Sequence, residues 1–163
     1  MGVLETTHDT ATDRGGRPGG PVIRQPQFVM SEVPADALCI GAVRRALAAW
    51  LYILPFDSTR RADIVLAVYE AMANVVDHAY LDSDGVGTMQ ISAIYTVDVG
   101  SLDVTVIDRG RWKNPVHNAL RGNGLPLIAA LSTVSAVDRS APGTTVRATW
   151  SSTGAQPQTP AFT

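Results

Sequence analysis

The chain has 163 residues, 45% hydrophobic and only 17% charged, which is enough apolar material for one ordinary core and too little length for two comfortable domains. Thirteen basic residues against fifteen acidic ones give a net charge of −2; such a chain lacks the broad positive field that direct binding to nucleic acid or to an anionic membrane needs. A single cysteine, Cys39, excludes an internal disulfide and a cysteine-rich zinc site and suits a reducing, cytoplasmic setting.

Residues 1–26, with the run DRGGRPGGP, are dense in Gly, Pro, Thr and charge and have no apolar period, so they read as a disordered tail. No basic start followed by an apolar core is present, and the longest apolar run, ALAAWLYILPF, is interrupted by Pro55. It falls well short of the roughly 20 residues that span a bilayer, so neither a leader peptide nor a transmembrane helix is expected. An ordered body is expected over residues 27–150, followed by a second disordered tail, SSTGAQPQTPAFT, at 151–163.

Phe28 to Val33 reads as a short strand, and Pro34 is expected to open a helix in which Ile40, Val43, Leu47, Trp50, Leu51 and Leu54 recur at three- and four-residue steps. A second helix is expected from about Thr59 to Leu81. Met89, Ile91, Ala93, Tyr95 and Val97 then alternate with polar residues, the period of a strand with one wet face. Leu102, Val104 and Val106 repeat the alternation after a turn at Gly100, which predicts an antiparallel pair. Arg109 to Asn123 reads as a loop, Leu125 to Leu131 as a short helix, and Ser132–Asp138 and Thr144–Trp150 as two further strands.

The stretch EAMANVVDHAY at 70–80 carries the first chemical signal. At about 100° per residue, Ile64, Val68, Ala71, Val75 and Ala79 fall on one side of the helix, with Glu70, Asn74 and Asp77 nearly opposite. Alone, such a polar face is merely solvated. On the third strand, however, the period of two puts Asp108 on the same side as Leu102, Val104 and Val106, facing the helices. A carboxylate there is costly without a donor, and an adenine amino group would serve.

RGNGLPLI at 121–128 then sets Gly122 and Gly124 before a helix, an arrangement that lets bare N–H groups and a positive helix end approach phosphates. Gly143-Thr144-Thr145 leads into the last strand. Neither a dinucleotide fingerprint nor a P-loop is present, since GNGLPL lacks a third glycine and Lys113 is followed by Asn114.

In chain order, E-x-x-x-N-x-x-x-H-A on a helix, D-x-G after a strand, G-x-G before a helix and G-T-T before a final strand resemble the N, G1, G2 and G3 boxes of the GHKL (Bergerat-fold) ATPases. Over about residues 27–150 the chain is most similar to the anti-sigma-factor serine kinases, and EAMANVVDHAY, DRGRW and RGNGLPLI carry most of the likeness.

The resemblance implies an α/β (α+β) two-layer sandwich, with a mixed, mostly antiparallel sheet covered on one face by helices. ATP would be held between the long helix and a lid at about Arg111 to Asn123. It further implies that Asn74 is the ligand of Mg²⁺ and that Glu70 orients and deprotonates an attacking serine hydroxyl. Asp108 would read the adenine, which Gly110 would let approach the backbone. Gly122 and Gly124, with Leu125 beside them, would meet the phosphates, Thr145 and Thr144 would reach the adenine side through water, and Asp77 and His78 would line the pocket.

Two departures from the family pattern are a short lid and Trp112, which stands where D-x-G-x-G has its second glycine. The implied activity is that of an ATP-dependent serine/threonine protein kinase that regulates transcription by partner switching. It would bind a sigma factor, phosphorylate an anti-sigma-factor antagonist, and dimerise with itself through the sheet or the first helix. The alternative is a non-catalytic, nucleotide-gated module that sequesters a regulatory partner. A detached histidine-kinase catalytic domain is disfavoured, because the tail before Gln27 supplies no phosphoacceptor helix.

Overall fold

A computed structural model of the chain describes residues 25–81, 85–111, 124–139 and 143–152. Residues 1–24 and 153–163 of the expected tails, residues 112–123 of the expected lid, and with them Trp112 and Gly122, lie outside the described residues. The elements run β1 (Gln27–Pro34), α1 (Ala37–Leu51), α2 (Ser58–His78), β2 (Thr88–Thr96), β3 (Ser101–Asp108), α3 (Gly124–Leu131), β4 (Val134–Asp138) and β5 (Thr144–Ser151).

The strands form one five-stranded sheet in the order β1-β2-β3-β5-β4. All four pairings are antiparallel, a stricter arrangement than a mixed sheet. Alternation along each strand decides the faces. Met89, Ile91, Ala93 and Tyr95 from β2, Leu102, Val104 and Val106 from β3, and Val146, Ala148 and Trp150 from β5 are all buried. They meet Ile40, Val43, Leu47 and Leu51 of α1, Ile64, Val68, Ala71, Met72 and Val75 of α2, and Ile128 of α3 in one core. The result is two layers, sheet and helices, as the alternating and helical periods predict. Among the described residues no helix is long and apolar enough to cross a membrane.

Three helix boundaries differ from the sequence expectation: α1 stops at Leu51, so that Leu54 lies beyond it, and the start of α1 and the end of α2 differ for local reasons. Pro34 does not open α1; it is the last residue of β1, paired with Thr88. The cap is Asp36, whose Oδ1 accepts the N–H groups of Leu38 and Cys39 at 2.9 Å each, satisfying donors that a helix start leaves without partners. The Cys39 thiol and backbone hold the Asp36 carboxyl below its usual value, and the same contact pushes the thiol up.

α2 begins on the cap Asp57, whose Oδ1 accepts Arg60 N–H at 2.8 Å, and it ends at His78 instead of continuing to Leu81. The Ala79 carbonyl is taken by Arg111 N–H at 2.8 Å, so no further helical turn claims it. β1 carries a bulge between Met30 and Val33, with Glu32 at a φ of 53°.

α3 is tied down at its C-terminal end. The Ser132 hydroxyl donates to the Ile128 carbonyl at 2.8 Å, and the Trp150 indole N–H donates to the Leu131 carbonyl at 2.7 Å. These bonds satisfy carbonyls that a helix end leaves over and fix the direction in which the other end of α3 points. Trp150→Ala is expected to destabilise the protein by about 3–5 kcal/mol and Asp57→Ala by about 1 kcal/mol, both measured by urea denaturation.

Candidate nucleotide-binding site

Asp108 is the last residue of β3 and is 1% exposed. The period of the strand places it on the helix-facing side, where an ionised carboxylate survives only with donors around it. Its Oδ1 accepts Gly110 N–H at 2.9 Å and Thr144 N–H at 3.3 Å. Thr144 lies opposite Asp108 in the β3–β5 register, so the G-T-T segment comes to the G1 carboxylate through sheet pairing.

Gly143 makes that approach possible. It has a φ of 111°, a conformation L side chains rarely adopt, and an added Cβ would strike the Asp108 carbonyl oxygen. Gly110 is required by the end of α2, because a Cβ there would collide with the Ala79 carbonyl oxygen. The turn after β3 is thus seated on Ala79, the residue that caps the long helix.

Asn74 does not lie opposite the buried face of α2. It sits half-buried on the flank that faces α3, and a Cβ added to Gly124, the first residue of α3, would come within 3.0 Å of its Oδ1 and 3.1 Å of its Nδ2. Two of the expected boxes therefore touch. The Asn74 Nδ2 is buried and has no hydrogen-bond partner among the described residues. Leaving an amide donor so costs about 1–3 kcal/mol, which an acceptor bound at the start of α3 would recover.

Glu70 is half-buried one helical turn before Asn74, Asp77 is exposed, and His78 is half-buried at the last residue of α2. Leu125 packs against the core beside Gly124. Thr145 pairs with Ile107 and lies on the sheet face turned away from the helices; only Thr144 of the two threonines is brought to Asp108. Among the described residues no three His, Cys, Asp or Glu side chains gather as a metal cage. Mg²⁺, which keeps several waters and relies on substrate phosphates, needs none.

The geometry has a match among known proteins. Residues 33–150 fit the family profile described as the histidine kinase-like ATPase domain. The chain belongs to that family. A serine-protein kinase RsbW from Halalkalibacterium halodurans is 35% identical over 89 residues, which is 55% of this chain and 52% of the relative. The chain thus spans about half the length of that curated relative.

Among solved structures, the RsbU and RsbW domains of a Mycobacterium tuberculosis protein superpose with a TM-score of 0.62 at 28% identity, over 77% of this chain and 32% of the other. The histidine kinase domain of a blue-light-activated kinase from Erythrobacter litoralis gives a TM-score of 0.50 at 22% identity, over 72% of this chain and 61% of that one, and shares the fold. The likeness to GHKL ATPases of the anti-sigma-factor kinase type, read from the four boxes, is shown by these matches.

One residue of this family member went without a role in the sequence reading. Tyr80, the last residue of EAMANVVDHAY, donates its hydroxyl hydrogen to the Thr88 carbonyl at 2.6 Å and accepts Arg109 N–H at 3.1 Å. The only signal for it in the sequence is a tyrosine just past the end of a helix, with a glycine, Gly87, a few residues on. Gly110→Ala is expected to cost about 1–3 kcal/mol by overpacking. Gly85→Ala, where an added Cβ meets nothing within 4 Å, is expected to change stability by less than about 0.5 kcal/mol; urea midpoints read both.

Proposed function

We propose that this chain is an ATP-binding serine/threonine protein kinase of the anti-sigma-factor type, acting on a protein partner. The observation that carries the reading is the orphaned amide of Asn74 set against the first residue of α3. That contact sets a carboxamide beside a helix start, with Glu70 one turn away along α2. Helix starts attract phosphate because their N–H groups are unpaired and the helix dipole is positive there.

In this reading the adenine lies at Asp108, where the carboxylate accepts from its amino group. The triphosphate runs toward Gly124 and Asn74. The Asn74 carboxamide fits a shared metal and phosphate role, since it offers both an acceptor oxygen and the donor left without a partner. Bound Mg²⁺ would neutralise charge building up on the transferred phosphoryl group.

Glu70 holds the serine hydroxyl of the partner in line and takes its proton as the oxygen attacks. The name of the Halalkalibacterium relative, a serine-protein kinase, supports serine as the acceptor. By the resemblance of the four boxes to the anti-sigma-factor kinases, the partners are a sigma factor and its anti-sigma-factor antagonist. A second reading, nucleotide-gated sequestration without phosphoryl transfer, is favoured by one feature, Trp112 in place of the second glycine of the G1 box.

Incubation with labelled ATP, Mg²⁺ and a candidate antagonist separates the two. The kinase reading expects label on the antagonist, with Glu70→Ala slowing transfer by about 10²- to 10⁴-fold while ATP still binds. Unlabelled antagonist alongside tight ATP binding would favour sequestration. Calorimetric titration with ATP and Mg²⁺ is expected to weaken about 10- to 100-fold in Asn74→Ala, the worth of one hydrogen bond to a charged group. A wild-type protein without affinity for ATP would overturn both readings.

A further inference from the structure

We propose that the Tyr80 hydroxyl is a positioning group for the base-reading end of the site. It splits the β2–β3 ladder just beyond its last pair and thereby sets the turn that carries Asp108 and Gly110. The inference rests on the reading of Asp108 as the adenine contact.

The last registered pair between β2 and β3 is Met89 with Asp108. Tyr95 N–H bonds to the Pro26 carbonyl on the β1 side. By the alternation of an antiparallel strand, Met89, Ile91, Ala93 and Tyr95 direct their backbone groups toward β1, and Thr88 directs its own toward β3. The next ladder bond would therefore join Arg109 N–H directly to the Thr88 carbonyl.

A phenol oxygen stands in that place, accepting from the first at 3.1 Å and donating to the second at 2.6 Å. Two bonds in series replace one, and the strands part. The ring that brings the hydroxyl there lies over Gly87, where any Cβ would clash with the ring carbons.

The path of the chain beyond the fork depends on that hydroxyl. With β3 released from β2, the backbone crosses to the end of α2, where Arg111 N–H bonds to the Ala79 carbonyl at 2.8 Å and Gly110 seats against Ala79. Gly110 N–H in turn holds the Asp108 carboxylate at 2.9 Å. Tyr80 leaves α2 immediately after Ala79, so one short segment supplies both the wedge and the seat. Without the hydroxyl, the Thr88 carbonyl and Arg109 N–H close into a direct ladder bond or go unpaired, and either outcome moves Gly110 relative to Asp108.

The test compares wild type, Tyr80→Phe and Gly87→Ala by calorimetric titration with ATP and, separately, inorganic tripolyphosphate, each with Mg²⁺, alongside thermal melting. Tyr80→Phe keeps the ring; Gly87→Ala displaces it and serves as the second variant should the first fail to fold. The expected result is a loss of about tenfold in ATP affinity in each variant and unchanged tripolyphosphate affinity, with a melting temperature within a few degrees of wild type for Tyr80→Phe and a larger drop from overpacking for Gly87→Ala.

Equal weakening for both ligands would show a merely structural role and overturn the inference. So would variants that bind ATP as wild type does. Wild-type protein that binds tripolyphosphate but gains nothing from the base would overturn the adenine reading of Asp108, and the inference with it.

Discussion

The arrangement depends on a carboxylate in an apolar layer. Asp108 ends β3 on the side of the sheet that packs against the helices, and it is 1% exposed. Desolvating an ionised carboxylate costs several kcal/mol unless donors replace the lost water. Two backbone N–H groups do so, from Gly110 and Thr144, and each constrains a distant piece of chain. Thr144 must lie beside β3, which places β5 in the sheet and requires the positive φ of Gly143. Gly110 must turn back toward Asp108, which presses the chain onto Ala79, the cap of α2.

The long helix then works as a ruler. Its C-terminal end, at Ala79, meets the turn that carries the candidate base contact; about five residues earlier, or roughly 7.5 Å along the axis, Asn74 meets the start of α3. Glu70 lies a turn further on. The small side chains Ala67 and Ala71 on the buried face of α2 line a space in the core together with Val104 and Val146, while the polar flank is left to α3. The bonds from Ser132 and Trp150 hold the far end of α3, so its N-terminal end is presented to Asn74. Packing on one side of α2 positions the polar groups on its flank.

The family profile covers residues 33–150, nearly the whole two-layer unit, whereas the alignment with the Halalkalibacterium serine-protein kinase covers 89 residues. The scaffold is shared more widely than the sequence identity. The two faces of the sheet differ in the same way: one is committed to the helices and the candidate site, and the other carries Thr145 and Arg147, away from both.

Much of this was legible without coordinates, because periods of two and of about 3.6 residues are local properties of a chain. They identify the strands and helices, and they alone put Asp108 on the inner face. The boxes at Glu70 and Asn74, Asp108 and Gly110, Gly124, and Thr144 are short motifs in a fixed order, legible for the same reason. Finer placements depend on contacts between distant segments. Whether Asp36 or Pro34 opens α1 is decided by which donors need a cap, and α2 stops at His78 because Arg111 claims the Ala79 carbonyl. Asn74 lies on the flank of α2 because α3 docks there, and Thr144 rather than Thr145 faces Asp108 because of the β3–β5 register. Tyr80 acquires its place only when Thr88 and Arg109 come to either side of one hydroxyl. Sequence by itself determined which elements form and which residues are polar on an apolar face; the tertiary structure decided which of those groups meet, since hydrogen bonds between remote segments exist only after the layers have packed.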